Sequence, residues 1–228
     1  MTTTHIEAIP GYVAGTWTID PSHSEIGFSA QHLMMTQVLG TFTKFEGTIV
    51  TGPIVTDSSV TATVDLTSIN TGDEIRDDRV RSTDFFDVAT ATSMTFASTS
   101  IVADGDRYLL AGDLTLMGIT KPVTFELEIG SFGPDTHGGI RCGFTATTTI
   151  NRRERGVDFD PPLEPDGTAP SRTDYGMDFN VPLEAATISI NPTDYGIDFN
   201  VPLETGGVVV GDEITVQLKI EAVLKAEG

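Results

Sequence analysis

Apolar and polar residues alternate along much of this 228-residue chain, and the alternation constrains the fold more than any other feature. From residue 123 to residue 129, Val, Phe, Leu and Ile occupy every second position, with Thr and Glu between them. Such a strand has one dry face and one wet face, which is typical of antiparallel sheets rather than of parallel sheets between helices. The alternating stretches are residues 24–30, 59–66, 108–116, 123–129, 142–150 and 213–222.

Further strands, two turns and one helix complete the predicted layout. Residues 103–106 (ADGD) and 117–122 (MGITKP) have the composition of hairpin turns. A helix is predicted between residues 72 and 87, where Ile75, Arg79 and Val80 keep helical spacing. Because closure removes the exposed edges of a sheet, we predict an all-β antiparallel barrel of about eight or nine strands. The additional strands are predicted at residues 15–20, 40–51 and 94–102.

Three similar segments follow one another between residues 150 and 204. Aligned on Gly156, Gly176 and Gly196, they read INRRERGVDFDPPLE, PSRTDYGMDFNVPLE and INPTDYGIDFNVPLE. We interpret them as one expanded connection, because ordinary alternating strands flank them on both sides.

Two arrangements of this connection are open. In the simpler one, residues 142–151 form a barrel strand and about residues 153–192 are a surface insertion, which costs little because loop-closure entropy grows only with the logarithm of length. In the other, residues 185–191 (AATISIN) replace the end of that strand, since their alternation is the same.

The charge of the chain limits its possible partners. It carries 33 acidic and 13 basic residues, and the net charge of -20 disfavours binding to nucleic acids and to anionic membrane surfaces. A single cysteine, Cys142, excludes an internal disulfide, and the four histidines lack zinc-site spacing, so neither a metal nor a cofactor is predicted. No secretory signal or membrane span is evident, and we expect a cytoplasmic protein.

An ordered series of short motifs runs along the chain. The motifs are GTWTIDPSHSEIGF (15–28), HL (32–33), GTF (40–42), FEG (45–47), RD (76–77), RS (81–82), DFFD (84–87), MTF (94–96), GDLTL (112–116), GIT (118–120), PV (122–123), INR (150–152) and GGVVVGDEI (206–214). This series resembles the YceI family of polyisoprenoid-binding, lipocalin-like proteins. The resemblance covers about residues 15–224 except for the repeat, so we expect an N-terminal arm (1–14) and one barrel domain (15–228).

The resemblance implies an extended eight-stranded antiparallel lipocalin-like barrel whose tunnel holds a long isoprenoid or fatty amphiphile, and it implies a homodimer. This chain departs from the family in two ways. Arg79 stands where the family tends to have a histidine, and the family has only one copy of the Asn-Arg-x-x-(aromatic)-Gly element that is repeated here.

The candidate ligand-binding residues are mostly large apolar side chains on the dry faces of the strands, because such a set can line an apolar pocket with a few polar groups at its mouth. His32 is either a polar group at that mouth or an ordinary histidine at a strand end. Arg76 or Arg81 could fold over the entrance, or both could belong to a solvated helix face. The candidates are Ile26, Phe28, His32, Leu33, Phe42, Arg76, Phe85, Phe86, Met94, Phe96, Leu114, Phe125 and Phe144.

Catalysis has little support in the sequence. Asp20, Ser22 and His23 are neighbours in one turn and cannot be assumed to form a relay, and no nucleophile-elbow motif is present. The predicted function is therefore binding and carriage or storage of a polyisoprenoid, an isoprenoid quinone or a fatty-acid-like lipid. The alternative is a non-catalytic β scaffold whose repeat-bearing loop, with Tyr175 and Tyr195, recognises a protein or glycan.

Overall fold

The computed structural model describes residues 9–32, 36–136, 138–157 and 210–226. These residues form eleven strands, one α-helix and three short 3-10 turns. The strands are β1 (Gly15–Ile19), β2 (Glu25–His32), β3 (Thr36–Phe42), β4 (Phe45–Thr51), β5 (Ser59–Asp65), β6 (Ile69–Asn70), β7 (Ser93–Asp104), β8 (Arg107–Leu116), β9 (Ile119–Pro134), β10 (Ile140–Asn151) and β11 (Val210–Leu224), and the helix is α1 (Glu74–Arg81).

Eight of the strands close into an antiparallel barrel, as the alternation and the resemblance predict. The order around the barrel is β1-β4-β5-β7-β8-β9-β10-β11, and β11 pairs back with β1. The final residues of β11 pair with β1, whereas its earlier part pairs with β2. β1 and β2 therefore act as one long strand that bends at the turn between them.

The strand predicted at residues 40–51 is wrong in one respect, because it is interrupted at Thr43 and Lys44. The backbone N–H of Thr43 donates to the Ser68 carbonyl, and the N–H of Lys44 donates to the Ser68 hydroxyl. These bonds replace ladder bonds at the bend. As a result, β3 pairs with β2 and β6, while β4 pairs with β1 and β5.

The single helix is shorter than the predicted range of residues 72–87. It begins after Asp73, whose carboxylate accepts a hydrogen bond from the backbone N–H of Arg76, as a helix cap does. It ends at Arg81, where the N–H of Ser82 bonds to the carbonyls of Asp78 and Arg79. Asp77 is buried and accepts from the N–H and hydroxyl of Thr71, which ties the helix to the chain after β6.

Both predicted hairpin turns are present but shorter than predicted, because residues 103–104 belong to β7 and residues 119–122 belong to β9. Gly105, between β7 and β8, has φ of 64°, and Met117 and Gly118, between β8 and β9, have φ of 51° and 76°. Positive φ values match the twist of the flanking strands in tight hairpins.

The structure also places residues 140–151 in the barrel as β10, paired with β9 and β11. Copies two and three of the repeat, including residues 185–191, lie outside the described residues. Of the predicted surface insertion at about 153–192, residues 153–157 are described, and Arg155 and Val157 among them are buried rather than at the surface.

The interior is solid at one end of the barrel. Trp17 is fully buried there, and its indole N–H donates to the Thr51 hydroxyl at 2.8 Å. The Phe132 ring packs edge-on against Trp17 and against Tyr12, with centroid distances of 5.4 and 5.1 Å. Tyr12 donates to the Gly52 carbonyl, so part of the segment assigned to an N-terminal arm packs against this end of the barrel.

Candidate functional site

An apolar cavity of about 320 Å³ occupies the inside of the barrel. It extends from Tyr12 at the solid end to Phe85 and Phe86, which follow α1 at the opposite end. Its volume lies in the range of small-molecule sites, and its wall is almost entirely apolar. An eight-stranded barrel is just wide enough to hold one such ligand.

Two phenylalanine rings lie against glycines of the neighbouring strand, and this arrangement keeps the space open. Phe28 on β2 is paired with Gly40 on β3, and a Cβ added to Gly40 would overlap the Phe28 ring. The Phe96 ring on β7 also lies over a glycine of the neighbouring strand, Gly112 on β8, although Gly112 is paired with Ser98, and an added Cβ there would overlap the ring. Because glycine has no side chain, each ring can lie flat on the sheet instead of projecting into the interior.

The structure brings together eleven of the thirteen candidate residues on the cavity wall. The backbone of His32 ends β2, but its side chain and the whole of Leu33 lie outside the described part of the chain. Contact of these residues with a ligand stays a prediction. The wall contains Ile26, Phe28, Phe42, Arg76, Phe85, Phe86, Met94, Phe96, Leu114, Phe125 and Phe144.

The helix end of the cavity is the more polar one. Phe42 connects Phe28 to Phe86, with ring centroids 5.7 and 6.3 Å apart, and so continues the apolar wall toward the helix. Arg76 lies at the wall and donates to the hydroxyl and carbonyl of Thr71. Arg81 is not part of the wall, since its guanidinium donates to the carbonyls of Thr67 and Ile69 instead.

Three arginines that the sequence analysis did not select as ligand-binding residues also line this end, namely Arg79, Arg152 and Arg155. Arg152 has 4% of its surface exposed and donates to the carbonyls of Val157, Val210 and Gly211. Its guanidinium also lies 3.2 Å from the Asp212 carboxylate. Arg152 therefore fixes the end of β10 to the start of β11.

Arg155, three residues after Arg152, is also buried in the cavity wall. Only 5% of its surface is exposed, and its guanidinium reaches the carbonyls of Leu114 and Pro122 at 3.4 and 3.2 Å. Burial lowers the pKa of Arg155, while the charge of the neighbouring Glu154 opposes this shift. The signal that could have identified it is in the repeat, where copies two and three have Tyr175 and Tyr195 at the same place.

The charged groups at the solid end of the barrel form a closed network. Arg141 pairs with Asp20 at 2.7 Å, with Asp135 at 3.3 Å and with Glu221. Arg141 and then His23, which bonds to Asp20 within its turn, lower the pKa of Asp20 to about 2. Asp20, His23 and Glu221 are close enough to share a cation, but the Arg141 guanidinium already pairs with both carboxylates.

A closed antiparallel barrel with one apolar internal cavity defines the class of lipocalin-like small-molecule-binding folds. In the described part of the chain, no helix is long and apolar enough to cross a membrane. The family model of the YceI-like domain matches residues 17–222. The protein named YceI of Escherichia coli O157:H7 is 38% identical over 153 residues, which are 65% of this chain and 79% of that protein. The chain therefore belongs to the YceI-like family.

Other relatives and solved structures agree with this assignment. The UPF0312 protein VPA0850 of Vibrio parahaemolyticus is 38% identical over 68% of this chain and 83% of its own length. The BcnA structure from Burkholderia cenocepacia aligns with a TM-score of 0.61 at 21% identity, covering 89% of this chain and 98% of its own. A polyisoprenoid binding domain from Saccharophagus degradans aligns with a TM-score of 0.58 at 15% identity, covering 93% and 100%. At these identities, the two structures support the fold.

Proposed function

We propose that this protein binds a long apolar amphiphile in the barrel cavity and carries or stores it without catalysis. The observation that carries the proposal is the cavity itself, which is closed by eight strands and lined almost entirely by apolar side chains. Burial of an apolar chain there contributes about 25 cal/mol per Å² of apolar surface. The ligand classes that fit are a polyisoprenoid, an isoprenoid quinone and a fatty-acid-like lipid, and the structural neighbour named as a polyisoprenoid binding domain supports this choice.

Extraction of the purified protein with organic solvent, followed by mass spectrometry, tests the proposal. We expect a lipid in the parent protein and much less in an Ala62→Phe variant. Ala62 lines the cavity and is paired with Phe96 on the adjacent strand, so the new ring would fill the cavity space beside Phe96. The matched control is Ala97→Phe, which places the same ring at an exposed position of β7. A parent protein that neither brings a lipid nor takes one up after incubation would overturn the proposal and favour the scaffold alternative.

We also infer a homodimer, in line with the family resemblance and with the frequency of two-fold pairs among soluble proteins. The net charge of -20 opposes self-association at low ionic strength. Light scattering at moderate salt should therefore give the mass of two chains, and a monomer mass would refute the inference. The cytoplasmic location remains a prediction, which fractionation of cells that express the natural gene would check.

A further inference from the structure

The cavity wall contains a buried cationic group, Arg155, that forms no ion pair with a carboxylate of the described residues. Among the described residues, no carboxylate forms an ion pair with Arg155, although the chain has 33 acidic residues. Its neighbour Arg153 pairs with Asp212 at 2.6 Å, and Arg152 also lies beside Asp212. Asp212, on β11, thus pairs with the other two arginines, while Glu154, the acid next to Arg155 in the chain, forms no ion pair with Arg155.

The hydrogen bonds of Arg155 leave most of its donor capacity unused. A guanidinium has five N–H donors, and the two bonds to the carbonyls of Leu114 and Pro122 use two of them. A buried charge without a countercharge is unfavourable, and an anion that enters the same apolar space would recover part of that free energy. The planar guanidinium also matches the two oxygens of a carboxylate or phosphate group.

The other two copies of the repeat have a different residue at the position that corresponds to Arg155. Copy one of the repeat reads RRERG where copies two and three read RTDYG and PTDYG, so Tyr175 and Tyr195 correspond to Arg155. A tyrosine could fill the same wall with an apolar ring and a neutral hydroxyl. The copy whose arginine lines the cavity is the one joined directly to the barrel strand β10.

We propose that Arg155 is the anchor for the polar end of the ligand and that it selects apolar chains ending in an anionic oxygen group, either carboxylate or phosphate. The inference rests on the proposed function, because it concerns one end of the same cavity. The apolar chain would extend from Arg155 along the phenylalanine-lined wall toward the solid end of the barrel. Neutral chains of the same length would bind by burial alone.

A competition experiment with the delipidated full-length protein tests this selectivity. The protein is incubated with equal amounts of palmitoleic acid, its methyl ester and hexadecyl phosphate, and the bound species are extracted and quantified by mass spectrometry. Because a hydrogen bond to a charged group is strong, we expect the acid or the phosphate to exceed the ester by about 10-fold or more. The species that dominates identifies whether the anchor prefers carboxylate or phosphate.

Variants at the position locate the source of the preference. Arg155→Tyr introduces the residue of the other two copies, and Arg155→Met keeps an unbranched chain without the charge; in both we expect ester uptake to persist and the preference for anions to fall to about 1-fold. Arg153→Met is the control, since Arg153 pairs with Asp212 and lies outside the cavity wall. The ratio of anion to ester is measured within one sample, so it does not depend on the folded fraction.

The outcomes separate this inference from the proposed function. If the parent protein takes up none of the three probes, the proposed function fails. If it takes up acid, phosphate and ester equally, the binding function stands and the role of Arg155 is wrong. The role is also wrong if Arg155→Tyr and Arg155→Met keep the parent's preference, or if Arg153→Met loses it. If both Arg155 variants fail to fold, a ratio of anion to ester near 1-fold in the parent still refutes the role of Arg155.

Discussion

The contact between Gly40 and Phe28 allows a sharp test of how the barrel stays hollow. Substitution Gly40→Ala adds a methyl group that would lie 2.6 Å from one edge carbon of the Phe28 ring and closer still to its tip. The three nearest atoms to the added group all belong to this ring, so no backbone atom opposes the methyl at such short range. The ring must therefore leave the sheet surface and turn into the cavity.

The expected free-energy changes follow from this geometry. Gly40→Ala should destabilise the protein by about 1–3 kcal/mol, which is the usual range for overpacking. Phe28→Ala should cost about 2–3 kcal/mol, below the ~3–5 kcal/mol of a fully packed phenylalanine, because part of the ring already faces empty space. In the absence of the ring, Gly40→Ala should be neutral or stabilising by about 0.5 kcal/mol, since alanine suits a strand better than glycine.

A double-mutant cycle measured by urea unfolding tests these values. We expect a coupling of about 1–3 kcal/mol between the two substitutions, and we expect the Gly40→Ala protein to retain less extractable lipid than the parent. Gly133→Ala is the control, because an added Cβ there meets no atom within 4 Å. Additivity of the two substitutions within about 0.5 kcal/mol would show that the ring does not depend on the glycine, and would refute this explanation of the cavity.

Three other predictions concern the cavity wall, the charged network and the repeat. Phe96→Ala should change lipid retention and lower the free energy of unfolding by ~3–5 kcal/mol or less. Unchanged lipid content, together with the full loss of stability that a buried core phenylalanine would show, would contradict this prediction. The carboxyl of Asp20 has a lower pKa in the folded protein than its usual value, so its stabilisation is complete above about pH 4 and is lost as the pH falls toward about 2. Arg141→Met should destabilise the protein at neutral pH and shift acid unfolding, followed by circular dichroism, to higher pH. An unchanged acid transition would show that the network contributes nothing. Deletion of residues 153–192 joins Arg152 to Thr193 and should give a folded protein that melts within a few degrees of the parent and keeps lipid. Because Tyr195 then replaces Arg155, the shortened protein should lack the preference for anions. An insoluble product would show that the deleted residues are built into the barrel.

Much of the barrel could be predicted because each alternating strand records which face is dry. In β8 and the central part of β9, the side chains point inward or outward at the positions that the sequences indicate. The inward set, Leu110, Leu114, Phe125 and Leu127, is buried. The interruption between β3 and β4 could not be predicted in this way, since it depends on bonds to Ser68, which comes later in the chain. Local periodicity carries no information on such a distant partner.

The site was predictable where it is apolar and unpredictable where it is charged. Inward phenylalanines such as Phe96 and Phe144 belong to the alternating pattern, and their places on the wall follow from it. Arg152 and Arg155 follow a strand in a polar sequence, and arginine is usually exposed. Only the closure of the barrel around that turn shows that both side chains point inward and are buried.

Arg152 ties together the two described ends of the connection between β10 and β11. Its guanidinium donates to the carbonyl of Val157, at the end of the described residues after β10, and to the carbonyls of Val210 and Gly211 at the start of β11. The two ends of the connection are thus fixed by bonds that do not depend on the residues between them. Because loop-closure free energy changes only slowly with length, repeats could be gained between these points without disturbing the barrel. The same fixation places residue 155 against the β8–β9 hairpin, so a substitution there alters the cavity wall while the barrel pairing stays unchanged.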